Sequence, residues 1–154
     1  MEFDFSRYQP VNPDRYRSIA YPDNGKHFFI AARRICQIGA TPGNVACSGH
    51  SATAPRGVRG VAITGDMQGP QWIPPGTTYR FGSRAGFRAP VLKTGTRVSV
   101  GNTTCAVPRR GVVACSTPNR AFALNRAWHR FYYPRGDTSH SRNPKSRYLP
   151  AHLR

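Results

Sequence analysis

The sequence predicts a mainly β fold: a small disulfide-stabilised domain of two related cysteine hairpins, with additional short strands and extended basic arms at both ends. The segment Val45-Ala46-Cys47-Ser48 recurs as Val113-Ala114-Cys115-Ser116, and each copy follows another cysteine by ten or eleven positions. Short runs of alternating apolar residues lie between turns rich in the 14 Pro and 15 Gly. Such alternation is typical of strands, and helical periodicity is nearly missing.

The length of 154 residues predicts one domain with tails. Residues 1–25 contain Pro10, Pro13 and Pro22, which break helices, and they are predicted to form an extended N-terminal arm laid over the domain. Residues 26–134 are predicted to form the disulfide-stabilised β domain. Residues 135–154 are polar and basic, and we expect a flexible C-terminal tail there.

The first half of the domain contains the elements of one hairpin. Apolar residues begin at 28–30, residues 34–38 alternate as a strand, residues 41–44 have turn chemistry and residues 45–47 return. A loop at 48–60 precedes a short strand candidate at 61–64.

The second half is predicted to begin with a tight irregular passage at 69–76, followed by a strand at 77–81. Residues 97–101 alternate, and the second hairpin spans 104–115 around a turn at Pro108-Arg109-Arg110-Gly111. Residues 122–124 and 128–133 supply the last apolar material, with room for one or two helical turns at 125–130.

The four cysteines are predicted to form disulfides within the hairpins, Cys36 with Cys47 and Cys105 with Cys115. Four cysteines allow three pairings, so bridges between the hairpins stay open as an alternative. The turn at 41–44 places Cys36 and Cys47 slightly out of register, which a bulge would absorb. No pair of cysteines has the spacing of a zinc site, so we predict no metal. Disulfides indicate an oxidising compartment, and we expect an extracellular or envelope-associated protein.

The first five residues do not resemble an export signal, so either a leader has been removed or the predicted compartment is wrong. No apolar run is long enough to span a bilayer.

The net charge is +17, from 23 Lys and Arg against six acids. Such a charge attracts polyanions of any kind. Arginines interleaved with aromatic residues suggest cation contacts beside stacking surfaces. The predicted anion-binding residues are Arg80, Arg84, Arg88, Arg97, Arg126, Arg130 and Arg135. The predicted aromatic contacts are Tyr79, Phe81, Trp128 and Tyr132.

Catalytic signatures are scarce. Asp66 is the only acid between Asp23 and Asp137, which argues against two-carboxylate chemistry. His27, His50 and His129 leave open a basic ribonuclease, in which histidines run acid and base chemistry. We predict no cofactor and no catalytic residue, and whether the protein is an enzyme stays uncertain.

Several loose motifs resemble small, mostly uncharacterised secreted proteins and lipoproteins of actinobacteria, mycobacteria especially. They are the aromatic lead at 28–29, the Thr-Pro-Gly turn before Cys47, the segment 91–95, the second cysteine hairpin and the Phe-x-Leu ending at 122–124. The resemblance covers roughly residues 28–133 and implies export, without implying an activity.

The leading functional prediction is a non-catalytic exported protein that binds an anionic envelope component, an anionic polymer or a surface protein partner through Arg and aromatic residues. The alternatives are a nucleic-acid-binding protein or secreted ribonuclease-like toxin, and a subunit of a larger extracellular assembly.

Overall fold

The predicted mainly β fold is confirmed. The computed structural model describes residues 3–134, 137 and 146–148. The strands among them are β1 (Gln9–Pro10), β2 (His27–Ala31), β3 (Arg34–Ile38), β4 (Val45–Ser48), β5 (Gly60–Thr64), β6 (Gln68–Ile73), β7 (Thr96–Val100), β8 (Thr103–Ala106), β9 (Val113–Ser116), β10 (Ala121–Leu124), β11 (His129–Tyr133) and β12 (Ser146–Tyr148). Within this described part of the chain, no helix has the length and apolarity needed to cross a membrane.

The strands form two sheets. Sheet I has the order β2-β3-β4-β5-β6, and sheet II has the order β1-β7-β8-β9-β10-β11-β12. All neighbours are antiparallel except the outermost pairs of sheet II, where β1 joins β7 and β12 joins β11 in parallel. Each sheet is therefore a five-stranded meander, and sheet II carries one added strand at each edge.

The two meanders are equivalent strand by strand. In each, a disulfide joins the second and third strands at directly opposed positions, and the repeated Val-Ala-Cys-Ser segment is the third strand. The residues aligned with the cystines also correspond. They are Phe29, Cys36, Cys47, Val61 and Trp72 in sheet I and Val98, Cys105, Cys115, Phe122 and Phe131 in sheet II. The internal repeat thus extends from a hairpin to a whole sheet.

One apolar core lies between the sheets. All ten residues of the two equivalent rows belong to a single buried cluster, and the row beside them adds aliphatic side chains such as Ile38, Ile63, Val113 and Leu124. Alternation along the strands directs these residues inward, as expected for a sandwich of two sheets. Burial of both cystines in this cluster makes them part of the core.

The predicted disulfides are confirmed: Cys36 is bonded to Cys47, and Cys105 to Cys115. The expected bulge at the first pair is wrong, because Cys36 and Cys47 pair directly and the loop between β3 and β4 begins one residue after Ile38. A six-residue loop restores the register that a four-residue turn would have shifted.

Three local predictions in the domain are also wrong. Residues 69–73 belong to β6 rather than to an irregular passage, and a register shift between Ala62 and Thr64 accommodates Gly69 and Pro70 at this edge strand. Residues 77–81 form no strand. They cross the outer face of sheet I, where the side chain of Gln37 in β3 donates hydrogen bonds to Tyr79 and Arg80. Residues 125–128 form the turn into β11, and residues 129–130 already belong to that strand, so no helical turn forms at 125–130.

The N-terminal segment packs against both faces of sheet II. Residues 3–25 contain three short 3-10 turns at Phe5–Arg7, Pro13–Tyr16 and Tyr21–Asp23. Tyr16 is buried in the central core, and Phe3 packs edge-on against Tyr132 on the outside of sheet II. The predicted C-terminal tail at 135–154 lies outside the described residues, apart from 137 and 146–148.

Candidate anion-binding groove

A concave groove of about 580 Å³ lies at one end of the sandwich, where loops of both halves meet. Its walls come from the β2–β3 turn, the loop after β4, the segment before β7, the β8–β9 loop and the start of the β10–β11 connection. The lining residues are Ala32, Arg33, Arg34, Gly49, His50, Val91, Leu92, Lys93, Thr94, Val107, Arg110, Gly111 and Arg126.

The groove is lined by cationic and apolar side chains. Its lining residues include no carboxylate and five basic side chains, which are Arg33, Arg34, Lys93, Arg110 and Arg126. The described acids lie elsewhere, at Asp4, Asp14, Asp23, Asp66 and Asp137. Cations that line a low-dielectric concave wall focus a positive potential, which raises the local concentration of anions.

Arg34 is the most buried of these cations, with 8% of its surface exposed. Its guanidinium donates to the carbonyl of Ser48 at 3.0 Å and to that of His50 at 3.1 Å. Burial lowers the pKa of Arg34 below its ordinary value, although an arginine stays charged in proteins. Carbonyl oxygens orient the guanidinium but do not neutralise its charge, so the site retains a buried positive charge that favours an anion.

Gly49 gives Arg34 the space that it occupies. Its φ of +94° is a left-handed conformation, and a Cβ there would lie 2.7 Å from Nη1 of Arg34. Any larger residue would therefore push the guanidinium away from its two carbonyls. The loop after β4 is fitted to the buried arginine.

The β2–β3 turn is strained at the groove. Ala32 and Arg33 form a two-residue hairpin loop with φ of 50° and 65°. This turn type strongly prefers Asn-Gly, because a Cβ disfavours the left-handed conformation by about 1–2 kcal/mol per residue. An unfavourable turn that places Arg33 beside a cationic groove is typical of a functional position.

The internal repeat supplies a comparison for this groove. At the opposite end of the sandwich, the β3–β4 loop meets the β7–β8 turn in the equivalent arrangement and forms a cleft of about 320 Å³. That cleft is lined by residues 38–43 and 100–102, with no charged side chain among them. The fold therefore creates two corresponding clefts, and only one carries the cations.

Of the predicted anion-binding residues, Arg126 alone lines the groove. Sequence reasoning missed Arg33, Arg34, Lys93 and Arg110 as a group, because they come from separate segments. The sequence offered one local signal for this site. Ala32-Arg33 is a two-residue gap between two alternating runs, and neither residue is typical of a tight turn.

Four of the predicted residues meet on the outer face of sheet I. Tyr79, Arg80, Phe81 and Arg84 lie with Arg59 on an open surface, which we call the outer patch. The rings of Tyr79 and Phe81 are 5.0 Å apart, and Phe81 packs on Ala46, Ala62 and Ile73. Gln37 holds the segment by donating to the Tyr79 hydroxyl at 3.4 Å and to the Arg80 carbonyl at 3.3 Å.

Burial raises the pKa of Tyr79, and the hydrogen bond from Gln37 opposes this rise. Its hydroxyl therefore stays neutral under physiological conditions. The outer patch combines aromatic surface with three arginines and is more open than the groove.

The other predicted residues are dispersed. The guanidinium carbons of Arg130 and Arg109 lie 4.4 and 5.7 Å from the centre of the Trp128 ring. Tyr132 is buried against Phe3, and Arg97 donates to the Phe5 carbonyl at 2.6 Å. Arg88 is exposed outside both the groove and the outer patch. Arg135 lies outside the described residues.

The three histidines considered for ribonuclease chemistry do not line one cavity, because His50 lines the groove and neither His27 nor His129 does. His27 begins β2, whereas His50 lies beyond the other end of that strand, about 13 Å along it at about 3.3 Å per residue. Burial, followed by the charge of Arg17, lowers the pKa of His27. Nδ1 of His129 contacts the Thr53 hydroxyl at 2.5 Å. Among the described residues, no three His, Cys, Asp or Glu side chains cluster as metal ligands.

In comparisons with known proteins, no family model, no curated protein and no solved structure matches the chain. The resemblance to actinobacterial secreted proteins stays a prediction.

Proposed function

We propose that this protein is a non-catalytic exported protein that binds an anionic, phosphate-bearing component of the cell envelope in the cationic groove. The observation that carries the proposal is the buried charge of Arg34, held by carbonyl oxygens in a groove lined by four further cations and no acid. Two cystines in the core support an oxidising, extracytoplasmic location.

The lining chemistry favours phosphate groups on a larger molecule. Arginine presents a planar fork of donors that matches phosphate oxygens, and four of the five groove cations are arginines. Val91, which is 59% exposed, supplies apolar surface beside these forks. A polymer that alternates phosphates with carbon-rich units would use both kinds of surface.

The uncharged cleft at the other end strengthens this assignment. A general excess of arginine would place cations in both equivalent clefts, since the fold creates both. Concentration of the charges in one cleft supports a ligand at that cleft. The proposal therefore rests on where the cations lie in addition to their number.

Charge reversal in the groove tests the proposal. We expect Arg33→Glu/Arg126→Glu to weaken binding of inorganic polyphosphate about tenfold or more, because charge-assisted contacts are lost and repulsion is added. Isothermal titration calorimetry at physiological salt measures this change. The matched control is Arg7→Glu/Arg56→Glu, which alters the net charge equally at exposed positions outside the groove.

The control should stay within about twofold of the native affinity, because neither arginine lines the groove and salt screens charges that do not contact the ligand. Equal weakening of both variants would contradict the groove as the site and leave only net charge. Tighter binding of single-stranded RNA than of polyphosphate would favour the nucleic-acid alternative. Cleavage of that RNA would contradict a non-catalytic role.

A further inference from the structure

An exposed apolar loop projects from the domain at residues 18–26, and we call it the finger loop. Its ends are joined by a hydrogen bond from the Ser18 amide to the Lys26 carbonyl, at 3.0 Å. Near its tip, Ile19 is 94% exposed and Tyr21 is 96% exposed. These are the most exposed large apolar side chains of the described residues, and Pro22 follows them directly.

The finger loop is rigid at its base. Asp23 is buried there, and its carboxylate accepts hydrogen bonds from the hydroxyls of Ser18 and Ser83 and from the Arg84 amide at 2.8 Å. Backbone bonds from Asp23 to Ala20 and from Asn24 to Tyr21 close a 3-10 turn over the tip. The two apolar side chains are thus held in water by a fixed backbone, instead of folding back onto the domain.

Cations surround this loop. Arg17 precedes it, Lys26 ends it, and Arg80 and Arg84 share a concave surface with Pro22 and Lys26. The same two arginines belong to the outer patch, so the cationic surface continues from the finger loop across sheet I. The nearby acids are Asp23, whose carboxylate is occupied at the base, and the exposed Asp14.

We propose that the finger loop docks the protein on an anionic lipid bilayer, with Ile19 and Tyr21 inserted at the level of the headgroups and the adjacent cations on lipid phosphates. An aliphatic and an amphipathic aromatic side chain at one tip fit the interface between water and hydrocarbon. Basic residues beside them add attraction to anionic headgroups. This surface is separate from the groove, and the inference goes beyond the proposed function.

Binding to lipid vesicles tests the inference. The native protein should co-sediment with equimolar phosphatidylcholine and phosphatidylglycerol vesicles, and only weakly with pure phosphatidylcholine. Ile19→Ser/Tyr21→Ser should lower the partition coefficient about tenfold or more, because the variant has no large apolar side chains at the tip to transfer from water into the bilayer. The matched control is Met67→Ser, which removes a side chain 75% exposed at the β5–β6 turn and should leave partitioning unchanged.

Insertion has its own readout. Lipids brominated near the headgroup should quench the added fluorescence of Ile19→Trp and not that of Met67→Trp. Equal vesicle binding by the native protein and Ile19→Ser/Tyr21→Ser would contradict the inference, as would unquenched Ile19→Trp. So would a dimer that sedimentation velocity detects in the native protein and not in the double variant, because the tip would then bind a second copy. Polyphosphate binding by the double variant should be native, which separates this test from that of the groove.

Discussion

Replacement of all four cysteines should unfold the domain or leave it barely folded at room temperature. The two bridges close loops of 11 and 10 residues, and the loop-entropy relation gives about 3 kcal/mol for each. Their combined contribution of about 6 kcal/mol is comparable with the whole stability of a domain of this size, about 5–15 kcal/mol. Urea denaturation followed by circular dichroism measures the loss for Cys36→Ala/Cys47→Ala, for Cys105→Ala/Cys115→Ala and for the quadruple variant.

The two single-bridge variants should lose similar free energies of unfolding, because the cystines are equivalent in position and both are fully buried. The small cavity left by each lost sulfur pair adds to the entropic effect. A loss below about 1 kcal/mol in either variant would contradict the view that the bridges offset the conformational entropy of the meanders.

Arg120→Ala should lower the free energy of unfolding by about 3–5 kcal/mol. Arg120 lies before β10 of sheet II and is buried. Its guanidinium donates to the carbonyl of Gly69 in β6 at 2.6 Å and to that of Asp66 in the β5–β6 turn at 3.3 Å, and it is paired with Asp137 at 2.7 Å. Removal of the arginine leaves a buried carboxylate and two carbonyls without these donors. Denaturant unfolding of the variant provides the measurement.

A double variant distinguishes loss of the ion pair between Arg120 and Asp137 from loss of the packing of the Arg120 side chain. Arg120→Met/Asp137→Asn should recover at least about 1 kcal/mol relative to Arg120→Met, because the buried side chain that has lost its arginine is then uncharged. The control Arg56→Ala, at an exposed arginine, should change stability by less than about 0.5 kcal/mol. Loss of the same free energy at both arginines would show that Arg120 does not join the sheets.

Sequence reasoning reached the fold class and both disulfides because these depend on local patterns. The repeated Val-Ala-Cys-Ser segment and the cysteine ten or eleven residues before it lie within one hairpin. The equivalence of the whole meanders was not predictable in this way. Trp72 corresponds to Phe131 and Val61 to Phe122, so the repeat is kept in position and burial but not in residue identity.

For the candidate site too, features that depend on neighbouring residues were predictable, and features that depend on distant segments were not. Tyr79, Arg80, Phe81 and Arg84 are contiguous enough that their association on the outer patch was visible in the sequence. The groove draws its five cations from four separate segments, and only the meeting of two sheets brings them together. Arg34 was hidden for a further reason, since its alternation within β3 looks like that of any strand and its burial depends on Gly49.

The two proposed surfaces lie at opposite ends of one strand. The finger loop ends at Lys26, directly before β2, and the groove begins at Ala32, directly after it. Lys26 and Ala32 are six positions apart, which corresponds to about 20 Å at about 3.3 Å per residue. A protein docked on a bilayer through Ile19 and Tyr21 would therefore direct its groove away from the lipid, toward polymers of the envelope.

Hydrogen–deuterium exchange of the native protein, with and without inorganic polyphosphate, tests the proposed function most directly. The groove predicts slower exchange of amides at residues 32–34, 49–50, 91–94 and 110–111, and unchanged exchange in the uncharged cleft at residues 38–43 and 100–102. Protection confined to the outer patch at residues 77–84, or equal protection of the two clefts, would contradict a binding site built around Arg34.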